Sequence, residues 1–160
     1  MKRVRGKHSM KAQSSFELLV TLAFGLAILL PIVILAFIQI SSANSSLSSV
    51  EAQQVVSKLS SIATLVGTEG PPAKQVVQIQ VPPNVQYIYV GNQNNGIGHI
   101  IMFVIRSPTG LSYITSYTPV NISGDLGAMV TPGTYLVNVS ATSTCPNNIP
   151  QPCTYLTPQN

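Results

Sequence analysis

Four carboxylates, Glu17, Glu51, Glu69 and Asp125, and two histidines, His8 and His99, are all the chain holds of those acid–base groups. The histidines and the two cysteines, Cys145 and Cys153, fall on different stretches and do not make a zinc ligand set. No carboxylate lies near His99 in sequence to orient it as a base. Serines are plentiful but lack the His and Asp partners of a hydrolase. The glycine-rich stretch "GNQNNGIG" (91–98) has no lysine and no following helix pattern, both of which a phosphate loop needs. The reading is therefore of a protein that is not an enzyme, with no cofactor and no metal site.

The remaining chemistry is covalent and structural. Asn44, Asn121 and Asn138 each open an Asn-x-Ser sequon, an acceptor for N-glycosylation. Cys145 and Cys153 bracket "CPNNIPQPC", whose three prolines restrict the loop. A disulfide there would stabilise the fold by roughly 2–3 kcal/mol in the chain-entropy model. The alternative is two free thiols. An oxidising, extracellular setting favours the bridge.

Charge and hydropathy divide the chain. Charged residues make up 8% of it, against about 25% in ordinary soluble domains. Five of the eight basic residues are Lys2, Arg3, Arg5, Lys7 and Lys11. Without residues 1–12, three basic and four acidic side chains remain, a net of −1. The formal charge of +4 thus belongs to the leader. It is not a basic face with interleaved aromatics, and nucleic-acid binding is not expected. An apolar run of 23 residues follows, Leu18 to Ile40. As a helix it is about 35 Å long, enough to cross a bilayer. It is longer than the apolar core of about 7–15 residues in a cleaved secretory signal. The basic flank predicts a cytoplasmic N-terminus and an outer C-terminal part.

Helical periodicity continues beyond the run, through Ile40, Ala43, Leu47, Val50, Val55, Leu59, Ile62 and Val66, until Gly67 and Gly70-Pro71-Pro72 end it. One helix from about Ser14 to Val66 is predicted, within an N-terminal segment of residues 13–69, and kinked or loosened at Pro31. From residue 70 to 160 the period changes to two. Val77, Ile79 and Val81 share a face, as do Val85, Tyr87 and Tyr89, and "HIIMFVI" (99–105) suits a strand buried on both sides. Asn95-Gly96 signals a hairpin, Ser107-Pro108-Thr109-Gly110 a type I turn and Thr131-Pro132-Gly133 a type II turn. Asn121 and Asn138 lie between apolar neighbours and should point outward. The fold class is α+β: a long hydrophobic N-terminal helix, then a small antiparallel β head of five to seven strands. An immunoglobulin-like sandwich and a meander packed on the helix both fit the pattern.

The stretch "KAQSSFE" (11–17) ahead of the apolar run resembles archaeal type IV prepilins with class III signal peptides. The family pattern is a basic residue, a small residue, then Gln-x-Ser-x-Glu. Here those positions are Lys11, Ala12, Gln13, Ser15 and Glu17. The resemblance implies that residues 1–12 are removed by a prepilin peptidase cutting between Ala12 and Gln13. It also implies that the helix stays as membrane anchor and then filament core. Partners implied are further copies or related pilins, the peptidase, an assembly ATPase and a membrane platform protein. Glu17 would be the fifth mature residue, neutralised by the new α-amine of Gln13 within or between subunits. Many members carry leucine at the ninth mature position, where this chain has Thr21. Archaellins typically lack the glutamate. A carboxylate in hydrocarbon is costly, by about 2.5–3.5 kcal/mol for a central Asp and less near a helix end, so Glu17 calls for a compensating partner. The competing reading is an uncleaved bitopic protein whose β head binds a ligand outside the cell.

Overall fold

The computed structural model describes residues 9–93, 96–107, 110–145 and 150–159, with side chains from Ser15 onward except at Ser45. Residues 1–8 of the basic leader, Asn95, Pro108, Thr109 and residues 146–149 of the cysteine loop lie outside the described residues. One helix, α1 (Ser9–Glu69), and six strands follow in order. They divide into two compact units, up to Ser42 and from Ala43.

In the first unit α1 starts within the leader, four residues before the predicted boundary at Gln13. Every large apolar side chain from Phe16 to Ile40 is exposed. This segment is long and apolar enough to cross a membrane, with a mean hydropathy of 2.9 over its best window. Pro31 sits inside α1, which continues through it. The proline still removes the N–H that would have bonded the Ala27 carbonyl.

In the second unit the last turns of α1 form the centre of a core. Ala52, Val55, Val56, Leu59, Ala63 and Val66 are buried. Leu47 and Val50, predicted on the same stripe, are exposed at 58% and 55%. The buried stripe is rotated from the predicted one and admits small polar residues, Ser48 and Ser60, in place of those two. Both bury a hydroxyl that is satisfied: Ser48 donates to Asn44 O at 3.0 Å and Ser60 to Tyr117 O at 2.8 Å. The helix does not stop at Gly67. It ends at Glu69, where Gly70 takes a left-handed φ of 74° and its N–H returns to Val66 O at 3.2 Å. Gly67 has a different use. A Cβ there would stand 2.6 Å from Thr154 Oγ1 and 2.8 Å from Val120 Cγ2. Its missing side chain lets the sheet approach the helix.

The strands are β1 (Lys74–Val81), β2 (Val85–Gly91), β3 (Gly98–Ser107), β4 (Gly110–Gly124), β5 (Gly133–Thr142) and β6 (Cys153–Pro158). They form one sheet in the order β1-β5-β6-β4-β3-β2, antiparallel except for the short parallel β4–β6 pairing. No second sheet, as an immunoglobulin-like sandwich requires, occurs among the described residues. The sheet cannot be flat. Opposite edges, β1 and β2, are joined by residues 82–84 alone. Four Cα steps reach about 14 Å, whereas five strand spacings in a flat sheet cover about 24 Å. The sheet must curl to bring those strand ends together. Core residues from all six strands then meet the helix in one cluster.

Strand patterning follows the expectation for β1, where Val77, Ile79 and Val81 are buried, and for β3 from Ile101 to Ile105, whereas His99 and Ile100 at its start are exposed. In β2 it departs. Val85, Ile88 and Val90 are buried while Tyr87 is exposed, because the register shifts between Val85 and Tyr87. This β-bulge moves Tyr87 and Tyr89 to the face opposite Val85. Gly133 opens β5 without a left-handed φ, so the predicted type II turn is not formed. That loop is held instead by Tyr135, whose hydroxyl bonds Thr131 Oγ1 and donates to Thr131 O at 3.1 Å. Leu59→Ala should cost about 2–5 kcal/mol of head stability through an unfilled cavity. Leu47→Ala, on the exposed side, should change it by no more than about 0.5 kcal/mol. Denaturant unfolding of the detergent-solubilised protein measures both.

Candidate functional site

The predicted functional residues fall into three separate places. The processing stretch lies on α1. Lys11, Ala12 and Gln13 are helical in backbone, and their side chains lie outside the described residues. Ser15 and Glu17 are exposed on the same helix. Thr21 stands one turn after Glu17, and its hydroxyl lies 3.0 Å from Glu17 O and 2.9 Å from Leu18 O. Such back-bonding satisfies a threonine within its own helix. The Glu17 carboxylate has no hydrogen-bond or ion-pair partner among the described residues. Phe16, Glu17, Val20 and Thr21 together line a shallow hollow on one helical face.

The second place is a cleft of about 280 Å³ in the head. Its walls are the end of α1 at Gly67 and Gly70, the β4 segment Pro119–Asn121, and the ends of β5 and β6 at Thr142 and Cys153. The cleft exists because β4 is irregular. Gly98 pairs with Ile122 and Ile100 with Tyr117, so four β4 residues, Thr118–Asn121, oppose the single residue His99. Pro119 has no N–H to give a ladder at this point. His99 fastens the irregularity. Its Nδ1 lies 3.2 Å from Thr118 O and 3.1 Å from Val120 O. Both partners are acceptors, so Nδ1 carries the proton. The Thr118 hydroxyl lies 3.2 Å from His99 O and 3.1 Å from Val120 O, and the imidazole stacks on Tyr117 at 5.8 Å. His99 thus has a structural task, which the sequence did not reveal because its partners are backbone carbonyls. Among the described residues the lining carries no carboxylate or lysine. No group of three or more His, Cys, Asp or Glu able to hold a metal occurs among the described residues.

The third place is covalent. Cys145 and Cys153 form a disulfide with Cα atoms 5.6 Å apart, and both are buried. It ties the segment after β5 to the first residue of β6. Thr142 reinforces the tie by donating to Cys153 O at 3.1 Å. The sequons are dispersed: Asn44 is exposed on α1, while Asn121 and Asn138 are half-buried. Asn121 lies on the cleft wall. Asn138 lies opposite Val76 of β1 and Thr157 of β6, on the face away from the helix. That face also carries Tyr87, Tyr89, Tyr113 and Tyr117, with Tyr87 and Tyr89 stacked at 6.0 Å.

Replacing both cysteines by serine should lower the head's unfolding free energy by about 2–3 kcal/mol, the chain-entropy value for so short a loop. Denaturant midpoints of the oxidised and substituted proteins give the difference. The chain matches no protein-family model, no curated protein and no solved structure.

Proposed function

We propose that the chain is a structural subunit of a type IV pilus-like surface filament of the archaeal class III kind. The observation that carries this reading is the single helix Ser9–Glu69 with its two unlike parts. Up to Ser42 it exposes apolar side chains on all sides, and from Ala52 it serves as the core of a β head. A simple anchor needs no continuation of the same helix into the head's core. "KAQSSFE" at its start supplies the processing site that the resemblance implies.

The physical sequence is as follows. The precursor sits in the membrane with its basic leader in the cytoplasm. A prepilin peptidase removes residues 1–12. The helix, drawn from the bilayer by an assembly ATPase and platform protein, packs with its copies. Burial stabilises that bundle by about 25 cal/mol per Å² relative to water. The Gln13 amine then compensates Glu17. The head lies outside, in an oxidising setting that suits the disulfide, and the sequons carry sugars. Adhesion is the task such a surface filament would serve.

The N-terminal sequence and intact mass of the mature protein test this reading. A start at Gln13 is expected; a start at Met1 would overturn it in favour of an uncleaved anchored binding protein. Glu17→Ala should leave processing unchanged and abolish filaments seen by electron microscopy after shearing. Normal filaments from that variant would refute the pairing of Glu17 with the Gln13 amine.

A further inference from the structure

Every open sheet has two edges at which another strand can pair, and this one protects them differently. The β2 edge is interrupted by the bulge between Val85 and Tyr87. The β1 edge has no interruption: Lys74 to Val81 runs in unbroken register against β5. Its sequence, "KQVVQIQV", combines three glutamines with four β-branched residues and has one charge, at its first position. Uniform runs of this kind favour pairing with copies of themselves.

The direction of each β1 backbone group follows from the register. Along an antiparallel pair, residues alternate between those that bond the partner and those that turn both backbone groups away. Ala141 N–H donates to Ala73 O at 2.9 Å, and these two stand opposite each other in the register that pairs Lys74 with Ser140. The odd-numbered residues of β1 therefore bond β5. Lys74, Val76, Gln78 and Gln80 direct their N–H and C=O groups to the free edge. Gln78 is in the middle of that row. Its carbonyl accepts a hydrogen bond from Lys58 Nζ at 2.8 Å.

Lys58 belongs to α1, on the other side of the sheet from the Gln78 side chain, and reaches the edge past the buried face. From Ala43 onward the chain has only three basic side chains, Lys58, Lys74 and Arg106. Two of the three lie at this edge. Pro82 and Pro83, which have no N–H to donate, follow directly.

We infer that Lys58 keeps the β1 edge from pairing with the β1 edge of a second copy. An incoming strand must donate an N–H to the Gln78 carbonyl, and the ammonium already takes one of that oxygen's two lone pairs and stands where the strand would approach. Pairing would also press a cation against a closing strand, with loss of its hydration. The inference rests on the head alone and holds whether or not the chain forms filaments.

The test uses the full chain in detergent micelles, with amide exchange at Val76, Gln78 and Gln80 as the readout. In the wild type these amides face solvent and exchange fast. Lys58→Met keeps the apolar stem and removes the ammonium. Its β1 edge amides should slow by about tenfold or more as protein concentration rises, with a parallel rise in sedimentation. Association through the apolar helix alone would leave those amides fast. Lys58→Arg should behave as wild type. Val76→Lys, which sets a new cation on the exposed face of β1, should restore fast exchange in the Lys58→Met background. Edge amides of Lys58→Met that stay fast at all concentrations would overturn the inference. So would slowing that Val76→Lys does not reverse, or faster exchange throughout the head, which would make Lys58 a fold-stabilising contact instead.

Discussion

The head depends on one constraint: the one sheet among the described residues must cover its apolar face with something other than a second sheet. The last turns of α1 do this. Leu59, Val56, Ala63 and Ala52 are fully buried in a cluster with side chains from every strand. A lone sheet needs an opposing layer to remove that face from water. Here the layer is a helix about 10 Å wide, so the sheet has to curl round it. The short link between β1 and β2 is consistent with nothing flatter. Small residues at the contact follow. Gly67 admits Thr154 and Val120, and Ser60 and Thr154 bond across the contact to Tyr117 O and Ala63 O.

The sheet is irregular in its middle, at β4. The first part of that strand pairs with β3, and only its last three residues pair with β6. Between them Thr118–Asn121 leave the ladder, and the Thr118 and Val120 carbonyls find His99 instead. The cleft beside Asn121 follows from this departure. The disulfide closes the neighbouring end, where β5 and β6 meet. With so few charges, the head fixes its polar backbone groups mostly through hydroxyls, helped by the His99 imidazole, the Lys58 ammonium, and the Asn92 and Asp125 side-chain oxygens, which accept from the Gly96 and Gly127 N–H groups.

What could be read from the residues, and what could not, divides along the same line. The apolar run, the alternation in β1 and the burial of β3 from Ile101 to Ile105 are local patterns, and they were legible. So was the cysteine pair, since only two thiols exist. The phase of the buried helical stripe was not. Leu47 and Val50 have the right type but lie beyond the side the sheet covers, and Ser48 and Ser60 are admitted because partners satisfy them. Gly67 looks like a helix stop from its type alone; only the strands packed on it explain why it continues. The bulge that turns Tyr87 away from Val85 depends on pairing with β3, which no single stretch encodes. The roles of His99 and Lys58 were invisible for a shared reason. Each bonds backbone carbonyls brought near by the fold, leaving no side-chain motif to read.

The helix must meet two demands in its two parts, and its polar residues show how. Toward its C-terminal end a single stripe is buried, so serines, glutamines and Lys58 can share the surface with leucines. Toward its N-terminal end apolar side chains point in every direction, and any polar group there must be served by the helix itself or by another molecule. Thr21 is served by its own turn, through Glu17 O and Leu18 O. Between Phe16 and Ile38 that leaves the Glu17 carboxylate as the one side-chain polar group without a partner among the described residues. A threonine at this position therefore adds little cost to a span, while a glutamate four residues earlier adds a demand that one isolated helix does not meet. A cation held at the same depth meets the demand most directly, and under the filament reading proposed above the α-amine created by cleavage, on the same or a neighbouring helix, would be such a cation.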